Sequence, residues 1–181
     1  MANSELKNTL LNTISTIQGN PGKAKVQFKS DTQLIEGVKC QARVRQFSFN
    51  IDEPEVLGGT DSAPNPVELV LAALGTCQEI LYSAYASVYN IQLDSVKVKV
   101  KGDLNLNGLF GLDENVAAGF QNISYETEIK SSSDINDVQK LIENVEKHCP
   151  VLDTLTRKIN VTGTVKIVAS EIIEEAEVIK N

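Results

Sequence analysis

The chain has 181 residues, of which 41% are hydrophobic and 23% charged, and it carries a net charge of −7 from 17 basic and 24 acidic side chains. This composition is typical of one globular domain with appendages, long enough to bury a substantial core. Nucleic acid is not an expected partner because binding it needs a basic face, and no apolar run or signal peptide indicates a membrane, so we expect a cytoplasmic protein.

The N-terminal segment predicts a helix over Ser4 to Ile17. Its apolar side chains recur at helical spacing, and Gly19, Pro21 and Gly22 end the pattern. We therefore expect residues 1–20 to form a helical arm that docks its apolar stripe on the rest of the protein.

Two extended runs follow this arm. Lys23 to Lys29 alternates apolar and polar residues, Ser30 to Gln33 is a polar break, and Val38 to Phe49 is the second run. In the second run, Cys40 is expected to share one face with other small apolar residues, which makes it a core residue. Arg43, Arg45, Phe47 and Phe49 are expected on the opposite face.

A long central helix is predicted from Ala63 to Ile91, after a Gly/Pro/Asp-rich loop over residues 52–64. Asn65 is a good N-cap, Pro66 suits the first helical position, and Glu68 stands where a capping-box acid reaches back to the cap. No charge occurs from Leu69 to Cys77, so we expect this part to be wrapped by protein on all sides.

The second half of the chain alternates strand and helix patterns. The predictions, in order, are a strand over Ser95 to Lys101, an excursion or flap over Leu104 to Ala118, a strand over Ile123 to Ile129, helices over Asp134 to Lys147 and Pro150 to Lys158, a last strand over Ile159 to Ile167, and an acidic tail helix over Ser170 to Lys180. This order indicates an α+β fold with mostly antiparallel pairing. We expect the main domain to cover residues 21–168 and the tail helix residues 169–181.

Three cysteines carry the candidate chemistry. Cys40, Cys77 and Cys149 are too few and too widely spaced for a disulfide framework, and one histidine without a Cys-x-x-Cys pair gives no metal site. Phosphate-loop and dinucleotide signatures are missing as well. These thiols are therefore candidates for redox chemistry.

The local field decides which thiol could react, because the thiolate is the reactive form. Cys149 precedes a helix start and follows His148, which favours its thiolate. Cys77 lies inside its helix, so it is either a packed core thiol or a nucleophile that needs a cation from elsewhere in the fold. The candidate cations are Arg43, Arg45, Arg157 and His148.

Three segments together resemble the OsmC/Ohr family, the osmotically inducible and organic hydroperoxide resistance proteins. They are DEPEVLGGTDS, PNPVELVLAALGTC and HCPVLDTL, and the resemblance covers roughly residues 23–168. It implies antiparallel sheets wrapped around long central helices in an intertwined homodimer, with sites at the subunit interface. It also implies that Cys77 is the peroxidatic cysteine and Cys149 the resolving cysteine.

The activity that this resemblance implies is thiol-dependent reduction of organic hydroperoxides. Cys77 would become a sulfenic acid, Cys149 would condense with it to a disulfide, and an external thiol, in the family often a lipoyl group, would reduce the pair. No metal or other cofactor is implied. The alternative is a non-catalytic dimer that binds a small apolar ligand at the subunit interface.

The sequence leaves more than one candidate for the acid and the arginine that could activate Cys77. In the peroxidases of the family a glutamate directly follows the Asn-Pro pair, whereas here Val67 holds that place and the acid is Glu68. Glu68 is therefore either a capping acid or a positioning acid. Arg45 is the first choice for the family's arginine and Arg43 the second, with a solvated strand face as the alternative for both. His148 is expected to be a polar residue at a helix C-terminus rather than a base.

Overall fold

Two antiparallel sheets and one long helix organise the chain in the computed structural model, which describes residues 4–168. The elements in chain order are α1 (Ser4–Gly19), β1 (Asp31–Glu36), β2 (Lys39–Val44), β3 (Phe47–Ile51), α2 (Pro66–Tyr89), β4 (Ser95–Leu104), α3 (Leu106–Leu109), β5 (Phe120–Lys130), α4 (Ile135–His148) and α5 (Pro150–Thr156). One sheet has the order β1-β2-β3 and the other pairs β4 with β5, both antiparallel. The predicted α+β class with antiparallel pairing is confirmed.

The core lies where α2 packs against the β4–β5 sheet and α4. The buried cluster at this contact consists of Tyr82, Ala86, Ile91, Val138, Leu141 and Val145. The three α4 residues are spaced by three and four positions, so they form one apolar stripe on that helix. This packing fixes α4, and with it the segment that leads into α5, relative to the middle of α2.

The first sheet departs from the sequence prediction. The segment predicted as a strand, Lys23 to Lys29, instead starts in a 3-10 turn over Pro21–Ala24 and has no regular structure from 25 to 30. Residues 31–33 of the predicted polar break belong to β1. They pair with β2 across the two-residue turn at Gly37, and the alternation of polar and apolar residues does not reveal such hydrogen bonds.

The second extended run is wrong as a single strand. Arg45 adopts a left-handed conformation with φ 54° and turns the chain between β2 and β3. Phe49 pairs with Ala42 and Phe47 with Val44, so the two phenylalanines share the face of β2 that carries Ala42 rather than the opposite face.

The predicted last strand, Ile159 to Ile167, is also wrong for the single chain. Residues 157–168 form no strand, and their apolar side chains are exposed, with Val165 at 92%. A strand needs a hydrogen-bonding partner, and no other described segment pairs with this one. The predicted tail helix over residues 169–181 lies outside the described residues.

The helix α2 is covered on one face only. Val70, Ala73 and Ile80 are exposed, and they lie on the same helical face as Cys77. The expectation that residues 69–77 are wrapped on all sides is therefore wrong for the single chain. An apolar helix face left open in this way is an unusual feature in a protein that works alone.

By length and composition, α2 could also cross a membrane. One such helix is weak evidence for a membrane protein, because the core helix of a water-soluble protein passes the same test.

The N-terminal arm is helical from the first described residue, Ser4, to Gly19, two residues past its predicted end. Lys7 Nζ donates a 2.6 Å hydrogen bond to Asn90 Oδ1 just past the end of α2. Leu11 and Ile14 remain exposed, so only part of the predicted apolar stripe is docked within the chain.

Candidate active site

The structure brings Cys77 and Cys149 into contact. Their sulfur atoms are 3.5 Å apart, with the Cys149 thiol directed as donor towards Cys77. Cys149 is fully buried at 0% exposure, whereas Cys77 is half-buried on the open face of α2. Two reduced thiols at this distance need to approach by only about 1.5 Å to form a disulfide bond.

A capping box fixes the start of α2 and so the position of Cys77. Asn65 Oδ1 accepts from the Glu68 backbone N–H at 2.9 Å, and Glu68 Oε2 accepts from the Asn65 N–H at 2.8 Å. The Asn65 amide also donates to Glu53 Oε2 at 3.2 Å. Glu68 is thus occupied as a capping acid, and nothing in the described part of the chain brings its carboxylate to Cys77.

The loop before α2 is organised by Asp52, which is 1% exposed. Its carboxylate accepts hydrogen bonds from the backbone N–H groups of Glu53, Thr60 and Ser62 and from the hydroxyls of Thr60 and Ser62. The Thr60 hydroxyl, followed by the Ser62 N–H, holds the pKa of Asp52 well below its usual range. Gly59 lies so close to the Glu53 carbonyl that no side chain fits there.

The break between α4 and α5 sets the position of Cys149. The chain leaves α4 after His148, and Pro150 opens α5, so Cys149 is at once the residue that ends one helix and the N-cap of the next. Its sulfur accepts a hydrogen bond from the Leu152 N–H at 3.5 Å, so the Cys149 side chain acts as the N-cap of α5. The predicted helix opening at Pro150 is confirmed, and α5 ends at Thr156.

The environment of Cys77 in the single chain does not favour its thiolate. Burial is the largest cause that raises the pKa of the Cys77 thiol above its ordinary value, the Val151 backbone N–H opposes the rise, and the neighbouring Cys149 adds to it. No positively charged group of the described residues contributes to this shift. A thiol in this state is less nucleophilic at neutral pH than a free cysteine.

The basic side chains predicted as activators do not contact the Cys77 sulfur in the single chain. Arg43 is exposed on β2, and the Arg45 guanidinium lies 5.1 Å from the centre of the Phe47 ring. Arg157 Nε binds Asp153 Oδ2 at 2.6 Å. His148 Nδ1 is 2.8 Å from the Asn144 carbonyl, which agrees with its expected place at a helix C-terminus. Within residues 4–168, no basic side chain hydrogen-bonds to either sulfur.

Sequence reasoning missed a polar cluster beside the two thiols. Gln78 follows Cys77 and is 1% exposed, yet neither of its amide atoms completes a hydrogen bond. The Tyr125 hydroxyl donates to Glu146 Oε1 at 3.3 Å, and Glu146 stands three residues before Cys149. The only signal in the sequence was a glutamine at the end of a mostly apolar stretch of the helix.

Two clefts border the helix α2. One of about 330 Å³ lies between β5, α2 and α5 and includes Leu74, Tyr125, Leu152 and Leu155 in its wall. The other, of about 390 Å³, lies between the open face of the first sheet and the start of α2, and the half-buried Cys40 lines it. The described residues hold no group of three or more potential metal-binding His, Cys, Asp or Glu side chains.

The chain is similar in sequence to known proteins. The family model described as OsmC-like protein matches residues 59–164. A hydroperoxide reductase from Mycoplasma genitalium is 30% identical over 107 residues, which cover 55% of this chain and 70% of that protein.

Solved structures share the fold at lower identity. An OsmC-like protein from Mycoplasma pneumoniae superposes with a TM-score of 0.62 at 22% identity and covers 72% of this chain and 88% of its own. An organic hydroperoxide resistance protein from Legionella pneumophila gives a TM-score of 0.55 at 20% identity and covers 73% of this chain and 92% of its own.

Proposed function

Because the chain belongs to the family of OsmC-like proteins, we propose that it is a thiol-dependent hydroperoxide reductase that uses Cys77 as peroxidatic and Cys149 as resolving cysteine. The observation that carries the proposal is the 3.5 Å separation of the two sulfurs. The names of relatives from Mycoplasma genitalium and Legionella pneumophila support a substrate of the hydroperoxide class.

The proposed reaction has two steps at the site. The Cys77 thiolate attacks the terminal oxygen of the hydroperoxide, so that an S–O bond forms, the O–O bond breaks and the alkoxide leaves as an alcohol after taking a proton. The Cys149 sulfur then attacks the sulfenic sulfur. A disulfide forms, the S–O bond breaks, and the Cys149 proton leaves with the hydroxyl group as water.

An external dithiol, a lipoyl group or a similar compound, would return the pair to the reduced state. Its first sulfur attacks the protein disulfide and forms a mixed disulfide with one cysteine. Its second sulfur then attacks this mixed disulfide, so the dithiol is released as a disulfide and both cysteines are thiols again. No metal or organic cofactor takes part in these steps. A reducing, cytoplasmic setting suits a protein whose described cysteines are all free.

We further propose that the working form is a homodimer. The open face of α2 around Cys77, the exposed apolar side of the first sheet and the unpaired segment 157–168 are the surfaces that a second copy would cover. A second copy would also be the source of the positive charge that Cys77 does not receive from residues 4–168 of its own chain. Arg45 and Arg43, exposed on the first sheet, are the candidates to supply it across the interface.

The test is turnover of cumene hydroperoxide with dihydrolipoamide as reductant. We expect Cys77→Ser to abolish turnover, because no other thiol replaces the nucleophile. The matched control is Cys40→Ser, which removes a thiol that faces the other cleft and should leave the rate unchanged. Turnover by Cys77→Ser at the wild-type rate would overturn the proposal.

The alternative function is a non-catalytic dimer that binds a small apolar ligand at the subunit interface. The raised pKa of Cys77 and the apolar cleft of about 390 Å³ favour it. The pH dependence of Cys77 alkylation in the assembled protein separates the two functions. A Cys77 pKa below that of an ordinary thiol supports the reductase, and a value at or above it, together with a co-purified ligand in native mass spectrometry, supports the binding protein.

A further inference from the structure

The proposed function leaves unexplained the polar cluster of Gln78, Tyr125 and Glu146 beside the two thiols. Gln78 is next to Cys77 on α2, Tyr125 is on β5, and Glu146 is three residues before Cys149 on α4. A buried side-chain amide without a well-formed hydrogen bond costs free energy, so the place of Gln78 beside Tyr125 calls for a reason.

The Tyr125 hydroxyl is the centre of this cluster. It donates to Glu146 Oε1 at 3.3 Å. Burial is the largest cause that raises the pKa of Tyr125, nearby Glu146 and Cys149 add to the rise, and a contact with the Gln78 amide opposes it. One hydroxyl thus contacts the helix that leads to Cys149 and lies beside the residue that follows Cys77.

We propose that Tyr125 is a positioning residue for the resolving step: its hydroxyl ties Glu146 to β5 and so holds the Cys149 sulfur against Cys77. This inference rests on the proposed function. It concerns the second chemical step, in which the S–S bond forms and water leaves, and not the attack on the hydroperoxide.

The physical reason is that disulfide formation depends on the relative placement of two helices. Cys149 lies at the junction of α4 and α5, and a small displacement of that junction moves its sulfur out of line with the Cys77 S–O bond. Cys77 itself is carried by α2, whose position is fixed by its capping box and the core. Loosening α4 should therefore slow resolution and leave the first oxidation unchanged.

The Tyr125→Phe variant tests the role by removing the hydroxyl while keeping the ring. In rapid-quench single turnovers with cumene hydroperoxide, dimedone traps the Cys77 sulfenic acid and mass spectrometry counts the disulfide. We expect the first oxidation to keep the wild-type rate and disulfide formation to slow by about 3- to 10-fold, the range that follows from the loss of one hydrogen bond.

Two further variants make the result specific. Glu146→Gln keeps an acceptor oxygen but loses its charge, so we expect a smaller slowing of the same step. Tyr89→Phe is the matched control, because Tyr89 stacks on Tyr85 at the far end of α2 and should change neither step. A general loss of stability would slow both steps together.

The outcomes separate the two proposals. If the wild-type protein forms neither sulfenic acid nor disulfide, the proposed function fails. If the wild type forms the disulfide and Tyr125→Phe and Glu146→Gln resolve at its rate, only the positioning role is overturned. If Tyr125→Phe does not fold, Glu146→Gln tests the same hydrogen bond, because Glu146 is exposed and its substitution leaves the core unchanged.

Discussion

The Sγ atoms of Cys77 and Cys149 lie 3.5 Å apart although 72 positions of the chain separate the two residues. The contact depends on three local features: the capping box that starts α2, the packing of α4 on α2, and the Cys-Pro break that starts α5. Each feature places one sulfur relative to the same core. The pair is therefore a property of the single folded chain.

Replacing Cys149 with serine should separate the two chemical steps. We expect the first oxidation of Cys77 to stay within about twofold of wild type, because Cys149 is not the nucleophile. Turnover with millimolar dihydrolipoamide should fall about tenfold or more, because the intramolecular partner is lost. Dimedone labelling of Cys77 checks this, and a Cys149→Ser variant with wild-type turnover and no trapped sulfenic acid would contradict it.

Glu68 should behave as a capping residue. In Glu68→Gln the amide oxygen can still accept from the Asn65 N–H, so we expect the melting temperature and the peroxide rate to change little. Asn65→Ala loses the cap and should lower the free energy of unfolding by about 1 kcal/mol. If Glu68→Gln lost activity without losing stability, the carboxylate would have a role at Cys77 that the single chain does not reveal.

Asp52 should make the protein sensitive to acid. Its pKa in the folded state is lowered, chiefly by the Thr60 hydroxyl, so its stabilising effect is present above the pKa of the unfolded chain, about 3.9, and is lost as the pH falls towards the folded value. Asp52→Asn should lower the melting temperature at neutral pH, with a smaller difference from wild type near pH 2. Thermal melts across this range check it, and a difference that does not shrink in acid would contradict it.

The open face of α2 should be an interface between two copies. Ile80 is 68% exposed on the same face as Cys77, and Ile80→Glu would bury an unpaired charge there. We expect the dissociation constant of the dimer to rise about tenfold or more in analytical ultracentrifugation. Gln139→Glu adds the same charge on an exposed position of α4 and should not change association. Equal association of both variants would show that this face is not covered by a second copy.

The sequence predicted the helix starts of the site, because a helix start is specified by residues close together in the chain. The Asn65-Pro66 start and the capping role of Glu68 follow from the preferences of a helix N-terminus, and Pro150 marks the opening of α5. These features carry their hydrogen-bond partners within a few residues. The place of Cys77 within α2 and the place of Cys149 just before α5 were therefore predictable.

The remaining features depend on contacts that the sequence pattern does not encode. Arg45 takes a left-handed turn without glycine, so the hairpin of β2 and β3 had no signature. The alternation over residues 159–167 predicts a strand, but a strand forms only where another edge accepts its hydrogen bonds. The meeting of Gln78, Tyr125 and Glu146 comes from three elements far apart in sequence, and only their packing reveals it.

The most direct test of the redox pair is disulfide mapping after one equivalent of cumene hydroperoxide is added to the reduced protein without oxygen. Mixing isotopically labelled and unlabelled chains before oxidation distinguishes a bond within one chain from a bond between two. The account predicts the loss of two thiols per chain and a single linked peptide that joins Cys77 to Cys149 of the same chain. Retention of all three thiols, or a linkage that involves Cys40, would contradict it.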